Sequence, residues 1–223
     1  MLISKELSSY TQLDTFLILL TLRLFLLLGC YGLLFFASEF VLISDNLIYQ
    51  SLGSQLSYER ITEMLEAGKQ WKWLSYVLLP IILLLKLFFV AVCFAIGALV
   101  LGIEGKFKEY MRVAITAEFV LLLIGVIKLF WFSLVQTNYT LESLQYFAPL
   151  SVFSLFNIVE PWLVYPLQLL NVFELAYWCV LAYCLKDILE RKFSNSLGFV
   201  ASTYGVGLLL WVVLVMFLTV SMI

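Results

Sequence analysis

The chain has 223 residues, of which 64% are hydrophobic and 13% charged, with a formal net charge of −2 and no histidine. A soluble domain carries about 45–50% apolar and about 25% charged residues, so this chain has too little polar surface to cover a water-soluble body of its size. The absence of histidine removes H-E-x-x-H zinc sites, Ser-His and Cys-His nucleophile pairs and histidine-ligated haem.

The apolar residues fall into runs near twenty, the length that crosses about 30 Å of hydrocarbon. The first run, Asp14 to Ser38, is interrupted only by Arg23. It exceeds the about 7–15 residues of a signal-peptide core and no A-x-A site follows, so a retained helix is expected. In Ser57–Gln70, Ile61, Met64 and Leu65 share one helical face, and Glu59, Arg60, Glu63 and Glu66 lie on the other. That spacing predicts an amphipathic helix on the membrane surface, in the first extracytoplasmic loop. The second run, Trp73 to Ile103, contains Pro80 and Lys86, and the third, Val113 to Val135, contains Glu118 and Lys128. Between Gln136 and Pro166 the chain is apolar but punctuated by Pro149, Pro161 and Pro166. A re-entrant or interfacial segment is expected there, with a further span as the alternative. The fourth run, Leu167 to Leu185, holds Glu174, and the fifth, Leu197 to Ile223, has no charge. The expected fold is all-α: a polytopic transmembrane helix bundle of five spans, forming one integral membrane domain over residues 1–223.

With five spans, one side of the membrane receives Lys5, Lys106, Lys108, Arg112, Lys186, Arg191 and Lys192, and the other Arg60, Lys69 and Lys72. The basic excess marks the first side as cytoplasmic, which places the N-terminus inside and the C-terminus outside. Trp71, Trp73, Trp131, Trp162 and Tyr139 then gather at the outer interface as an aromatic belt. Cys30, Cys93, Cys179 and Cys184 all fall inside the runs, where thiols act as small apolar filler. No disulfide, metal site or other cofactor is expected. The three aspartates, Asp14, Asp45 and Asp187, lie at span ends or in loops, and no G-x-x-x-x-G-K-[ST] phosphate loop occurs. The usual equipment of an enzyme is missing, and no catalytic residue is assigned.

The candidate functional residues are the charges inside the spans: Arg23, Lys86, Glu118, Lys128 and Glu174. Such residues cost about 2.5–3.5 kcal/mol each on insertion scales, so they face a partner or water. At 1.5 Å per residue from the cytoplasmic boundary, Glu118 lies at roughly 9 Å, Arg23 at roughly 13 Å, Glu174 at roughly 18 Å and both lysines at roughly 25 Å. Those depths predict that Arg23 meets Glu118, and that Glu174 meets Lys128 or Lys86, with Lys128 the better placed. The ordinary reading is structural ion pairs with snorkelling lysines; the alternative is a polar path for a substrate or proton. Asn171, Glu174 and Trp178 form a polar stripe on the fourth span. Small residues recur at Gly198, Ala201, Ser202 and Gly205, and at Ala91, Ala95, Ala98 and Gly102, which predicts close helix packing.

The stretch Gly102–Val113, with Gly105, Lys106 and Phe107 in succession, resembles the glycine-lysine-phenylalanine loop of the Yip1 family, where a short basic loop precedes a helix. The stretch Leu170–Leu175 resembles the start of that family's penultimate helix. The resemblance covers roughly residues 74–222 and implies five spans with a cytoplasmic N-terminus. The chain departs from the family in having Glu118 where a small-residue-proline turn is frequent, and in having about a dozen residues before its first span. It looks more like the compact bacterial relatives. The expected function is therefore a non-enzymatic component of a bacterial cytoplasmic membrane: a scaffold, accessory subunit or membrane-organising protein. Its expected partners are the lipid bilayer and a membrane protein or a second copy of itself, with no nucleic acid. A small transporter or channel using the intramembrane charges is the alternative.

Overall fold

The structure is a computed structural model that describes residues 2–156 and 160–222, with side chains from residue 17 onward. Among the described residues it is helical, with no strand beyond one isolated bridge between Ser151 and Asn171. Helix α1 covers Leu2–Leu42, α2 Asp45–Leu52, α3 Tyr58–Val100, α4 Phe107–Phe130, α5 Leu141–Gln145, α6 Pro161–Leu169, α7 Val172–Ile188, α8 Phe193–Val200 and α9 Val206–Met222. A π turn, Trp131–Val135, extends α4, and a second, Ala201–Gly205, joins α8 to α9. Among the described residues, four helices are long and apolar enough to cross a membrane: Leu17–Leu42, Tyr58–Val100, Phe107–Val135 and Phe193–Met222.

Helix α4 is the centre of the bundle. It packs against α1, α3 and α7 at once. Its Val113, Ala114, Ala117, Glu118 and Leu122 are buried, as are Leu27 of α1, Leu87 and Phe94 of α3, and Leu181 and Leu185 of α7. The last helix packs on α3 through its π turn, where a side chain on Gly97 would collide with Thr203 and approach Phe199 Cε2 at 3.2 Å. The small-residue stripe does not form that contact. Ala201 and Ser202 are exposed, while Val200 and Tyr204 are buried. The π turn holds one residue more than an α turn, so it rotates the packing face away from a strict 3.6-residue register.

The amphipathic segment Ser57–Gln70 is helical, but it is the first part of α3 rather than a separate surface helix. No proline lies between Ser57 and the apolar run, and helix propagation through Gln70–Trp73 costs far less than nucleating a new helix. At 43 residues, α3 is about 64 Å long, twice the hydrocarbon thickness. Its polar part is braced by neighbours: Lys69 to Asp45 at 2.8 Å, Lys72 to Glu39 at 2.8 Å, and the Tyr76 hydroxyl to Glu39 at 2.6 Å. At the same end, the Tyr139 hydroxyl donates to Leu42 O at 3.0 Å, and burial pushes that phenol above its ordinary range, so it stays a donor.

The expected fourth span is a broken one. Helix α6 ends at Leu169 and α7 starts at Val172, with Asn171 extended between them. The break leaves backbone groups that cannot bond within a helix, and they find partners in residues 150–152. Val152 N donates to Leu170 O at 2.9 Å and Val172 N to Leu150 O at 3.2 Å. Leu150 takes a φ of 55° to do so, an uncommon left-handed conformation for a branched residue. Asn171 clasps both halves. Its Oδ1 accepts from Glu174 N at 2.8 Å, and its Nδ2 donates to Gln168 O at 2.9 Å and Leu169 O at 3.2 Å. Residues 157–159 of the expected re-entrant segment lie outside the described residues.

Asn171→Ala removes the cap and the clasp together. Loss of an N-cap alone costs about 0.5–2 kcal/mol, so a clear fall in the detergent melting temperature is expected. Asn171→Asp keeps the cap acceptor and loses only the two donors, so it should fall less. Equal losses would show that the cap contributes nothing.

Candidate functional site

The intramembrane charges meet on α4. Glu118 is 1% exposed, and its Oε1 accepts from Lys86 Nζ of α3 at 2.6 Å and from the Tyr31 hydroxyl of α1 at 3.0 Å. One carboxylate oxygen therefore joins three helices. Its other oxygen, Oε2, is buried with no hydrogen-bond partner. Lys86 Nζ also stands 5.7 Å from the centroid of the Tyr177 ring of α7, a cation–π contact that brings in a fourth helix.

On α7, Glu174 sits in the first turn behind its Asn171 cap and is 8% exposed. Its Oε1 accepts from Trp178 Nε1 at 2.9 Å, one turn along, and from the Tyr204 hydroxyl at 2.9 Å. Tyr204 reaches it because the π turn aims that side chain at α7; Tyr204 also packs edge-on against Tyr177 at 5.6 Å. Tyr177 is fully buried and its hydroxyl has no partner. The tyrosines thus bring the Glu118 and Glu174 groups into one polar cluster, in which both acids are buried and the Lys86 side chain is 38% exposed.

The expected pairings change. Arg23 does not meet Glu118; its Nη1 donates to Thr116 Oγ1 at 3.4 Å on the exposed side of α1 and α4. Glu174 does not pair with Lys128, which stands half-buried and enters none of the ion pairs among the described residues. Lys86 pairs with Glu118 rather than Glu174. The helix ends explain this. Counted from Val100 and Phe107, the actual ends of α3 and α4, Lys86 lies at about 21 Å and Glu118 at about 17 Å. That difference is within reach of a lysine side chain. Sequence reasoning singled out Asn171, Glu174 and Trp178 but passed over Tyr31, Tyr177 and Tyr204. Their signal was a phenol hydroxyl inside an otherwise apolar run, which burial obliges to find a partner.

A cavity of about 520 Å³ opens elsewhere, at the α2 and α5 end, lined by Ser44, Asn46, Gln50, Asn138 and neighbours. It includes no residue of the cluster. Comparison with protein-family models, with curated proteins and with solved structures found no match to this chain.

Removing one member of a buried pair strands the other, typically at about 3–5 kcal/mol, while replacing both is often near neutral. Lys86→Met should therefore lower the detergent melting temperature strongly, and Lys86→Met with Glu118→Gln should recover much of the loss. Lys128→Met should change it little. A Lys128→Met loss as large as that of Lys86→Met would contradict this arrangement.

Proposed function

We propose that the protein is a non-enzymatic, multi-pass membrane component, a scaffold or accessory subunit, held in one shape by its buried polar cluster. The observation that carries this reading is that Lys86 and Tyr31 bond Glu118, Tyr204 bonds Glu174, and the Tyr177 ring packs between the two groups, rather than all of them standing apart around a cavity. Groups spent on mutual contacts act as a clamp. The apolar exterior is correspondingly large. The most apolar window of the last helix has none of its residues buried, and Leu210 and Phe217 of α9 are exposed at 64% and 68%. That surface meets lipid or another membrane protein.

We infer five crossings in a bacterial cytoplasmic membrane, with the N-terminus inside. Helix α7 has 17 residues, so it covers about 26 Å and crosses with the help of α6. Its contact with α4 on one side and α8 on the other supports a transmembrane hairpin with the last helix. Residues 140–156 and 160–166 we place at the outer interface, with α6 dipping beside α9, where Trp211 Nε1 donates to the Tyr165 hydroxyl at 3.0 Å. The likeness to compact Yip1-family members accords with this topology. The basic Gly102–Val113 stretch forms the connection before the central helix α4 and its first two turns.

A second reading, a small transporter, is favoured by the helix break at Asn171, because discontinuous helices with free polar groups mark many transport sites. Photoreactive residues at Leu210 and Phe217, activated in native membranes, distinguish the two. The scaffold reading expects a discrete protein adduct at stoichiometric yield. Labelling of lipid alone, together with an ion or solute flux in vesicles that Glu118→Gln abolishes without unfolding the protein, would replace it with the transporter.

A further inference from the structure

Two carboxyl groups in the cluster face one cation. Glu118 and Glu174 are 1% and 8% exposed, and Lys86 bonds only Glu118. Glu174 has hydrogen-bond donors but no cation at ion-pair distance. The groups that face the pair are Tyr31 from α1, Lys86 from α3, Tyr177 and Trp178 from α7, and Tyr204 from the second π turn. Only Lys86 among them carries a positive charge. Arg23 on α1 is exposed and bonded to Thr116. With both acids ionised, the two buried carboxyl groups would hold one negative charge more than Lys86 compensates. A buried charge without a partner is far more costly than a neutral acid. The N-terminus of α7 offers Glu174 only about half a unit of positive charge. Independently, Glu118 Oε2 and the Tyr177 hydroxyl are both buried without a hydrogen-bond partner.

We propose that this cluster is a binding site for one proton, shared between Glu174 and Glu118 according to which of them holds Lys86. In the arrangement seen, Lys86 neutralises Glu118 and the proton belongs to Glu174. If Lys86 turns to Glu174, the proton moves to Glu118, whose Oε2 is free to take it; one O–H bond breaks, one forms, and total charge is unchanged. A proton fits this site and a metal ion does not. Both Oε1 atoms are already crowded by N–H and O–H donors, whereas a hard cation needs several oxygen lone pairs. Among the described residues no group of three or more acids, cysteines or histidines could hold a metal.

The test is infrared spectroscopy of the whole protein in lipid bilayers at neutral pH, reading the C=O stretch of protonated carboxyl groups and assigning it by carbon-13 labelling of glutamate. The wild-type protein should show a band worth one carboxyl. Glu174→Gln should abolish it. Glu118→Gln should abolish it too, because Lys86 is then released to neutralise Glu174, and Lys86→Met should double it. The wild-type amplitude decides by itself if a variant fails to fold: a protein with no protonated glutamate at neutral pH overturns the proposal. So does a band that persists unchanged in folded Glu118→Gln, which would mean the two acids do not share the cation. A band that disappears when choline is exchanged for sodium at fixed pH would assign the site to sodium and overturn the proton.

Discussion

The bundle depends on the burial of one carboxylate. Glu118 lies on the central helix, and a carboxyl group in that setting must be matched by donors or a cation. Its two bonded partners come from different helices, Lys86 from α3 and Tyr31 from α1, and the lysine's contact with the Tyr177 ring brings in α7. Apolar packing among Leu, Val and Phe does little to choose one helix arrangement in a bilayer, because lipid tails satisfy those side chains equally well. The polar contacts are directional, and they select which faces of α1, α3 and α7 turn toward α4.

Two irregularities of the backbone serve the same cluster. The break before α7 places Glu174 in a first turn, with Asn171 holding both ends of the interruption and residues 150–152 pairing the freed backbone groups. The π turn between α8 and α9 swings Tyr204 onto Glu174. In hydrocarbon an unpaired backbone group is expensive, so a broken helix persists only where its neighbours complete it. The strained φ of Leu150 is part of that completion.

The membrane character, the long helices and the key charges were all readable in the residues, because run length and charge position follow directly from the hydrocarbon thickness and the cost of burying ions. The partners of those charges were not. Depth along a span depends on where the helix ends, and the apolar run to Ile103 concealed that α3 stops at Val100. The break at Asn171 was hidden because the prolines lie in α6, Pro161 at its tolerated first position and Pro166 inside it, and the interruption itself contains no proline. The role of Tyr204 depends on a π turn, which has no sequence signature comparable to a capping box. Of the small-residue stripes, the α3 one is packed, with Ala91 and Ala98 buried, while on the last helix Gly198, Ala201 and Ser202 are exposed and Gly205 alone makes a close contact, with Trp178.

The central claim is that Lys86 and Glu118 are bonded inside the membrane. Solid-state NMR on protein in lipid bilayers, with nitrogen-15 lysine and carbon-13 carboxyl glutamate, measures that distance directly through the dipolar coupling. A nitrogen-to-oxygen contact of 2.6 Å requires strong coupling between one lysine ammonium and one glutamate carboxyl, and its disappearance in Lys86→Met. No coupling at that lysine, with the helices otherwise intact, would contradict the account.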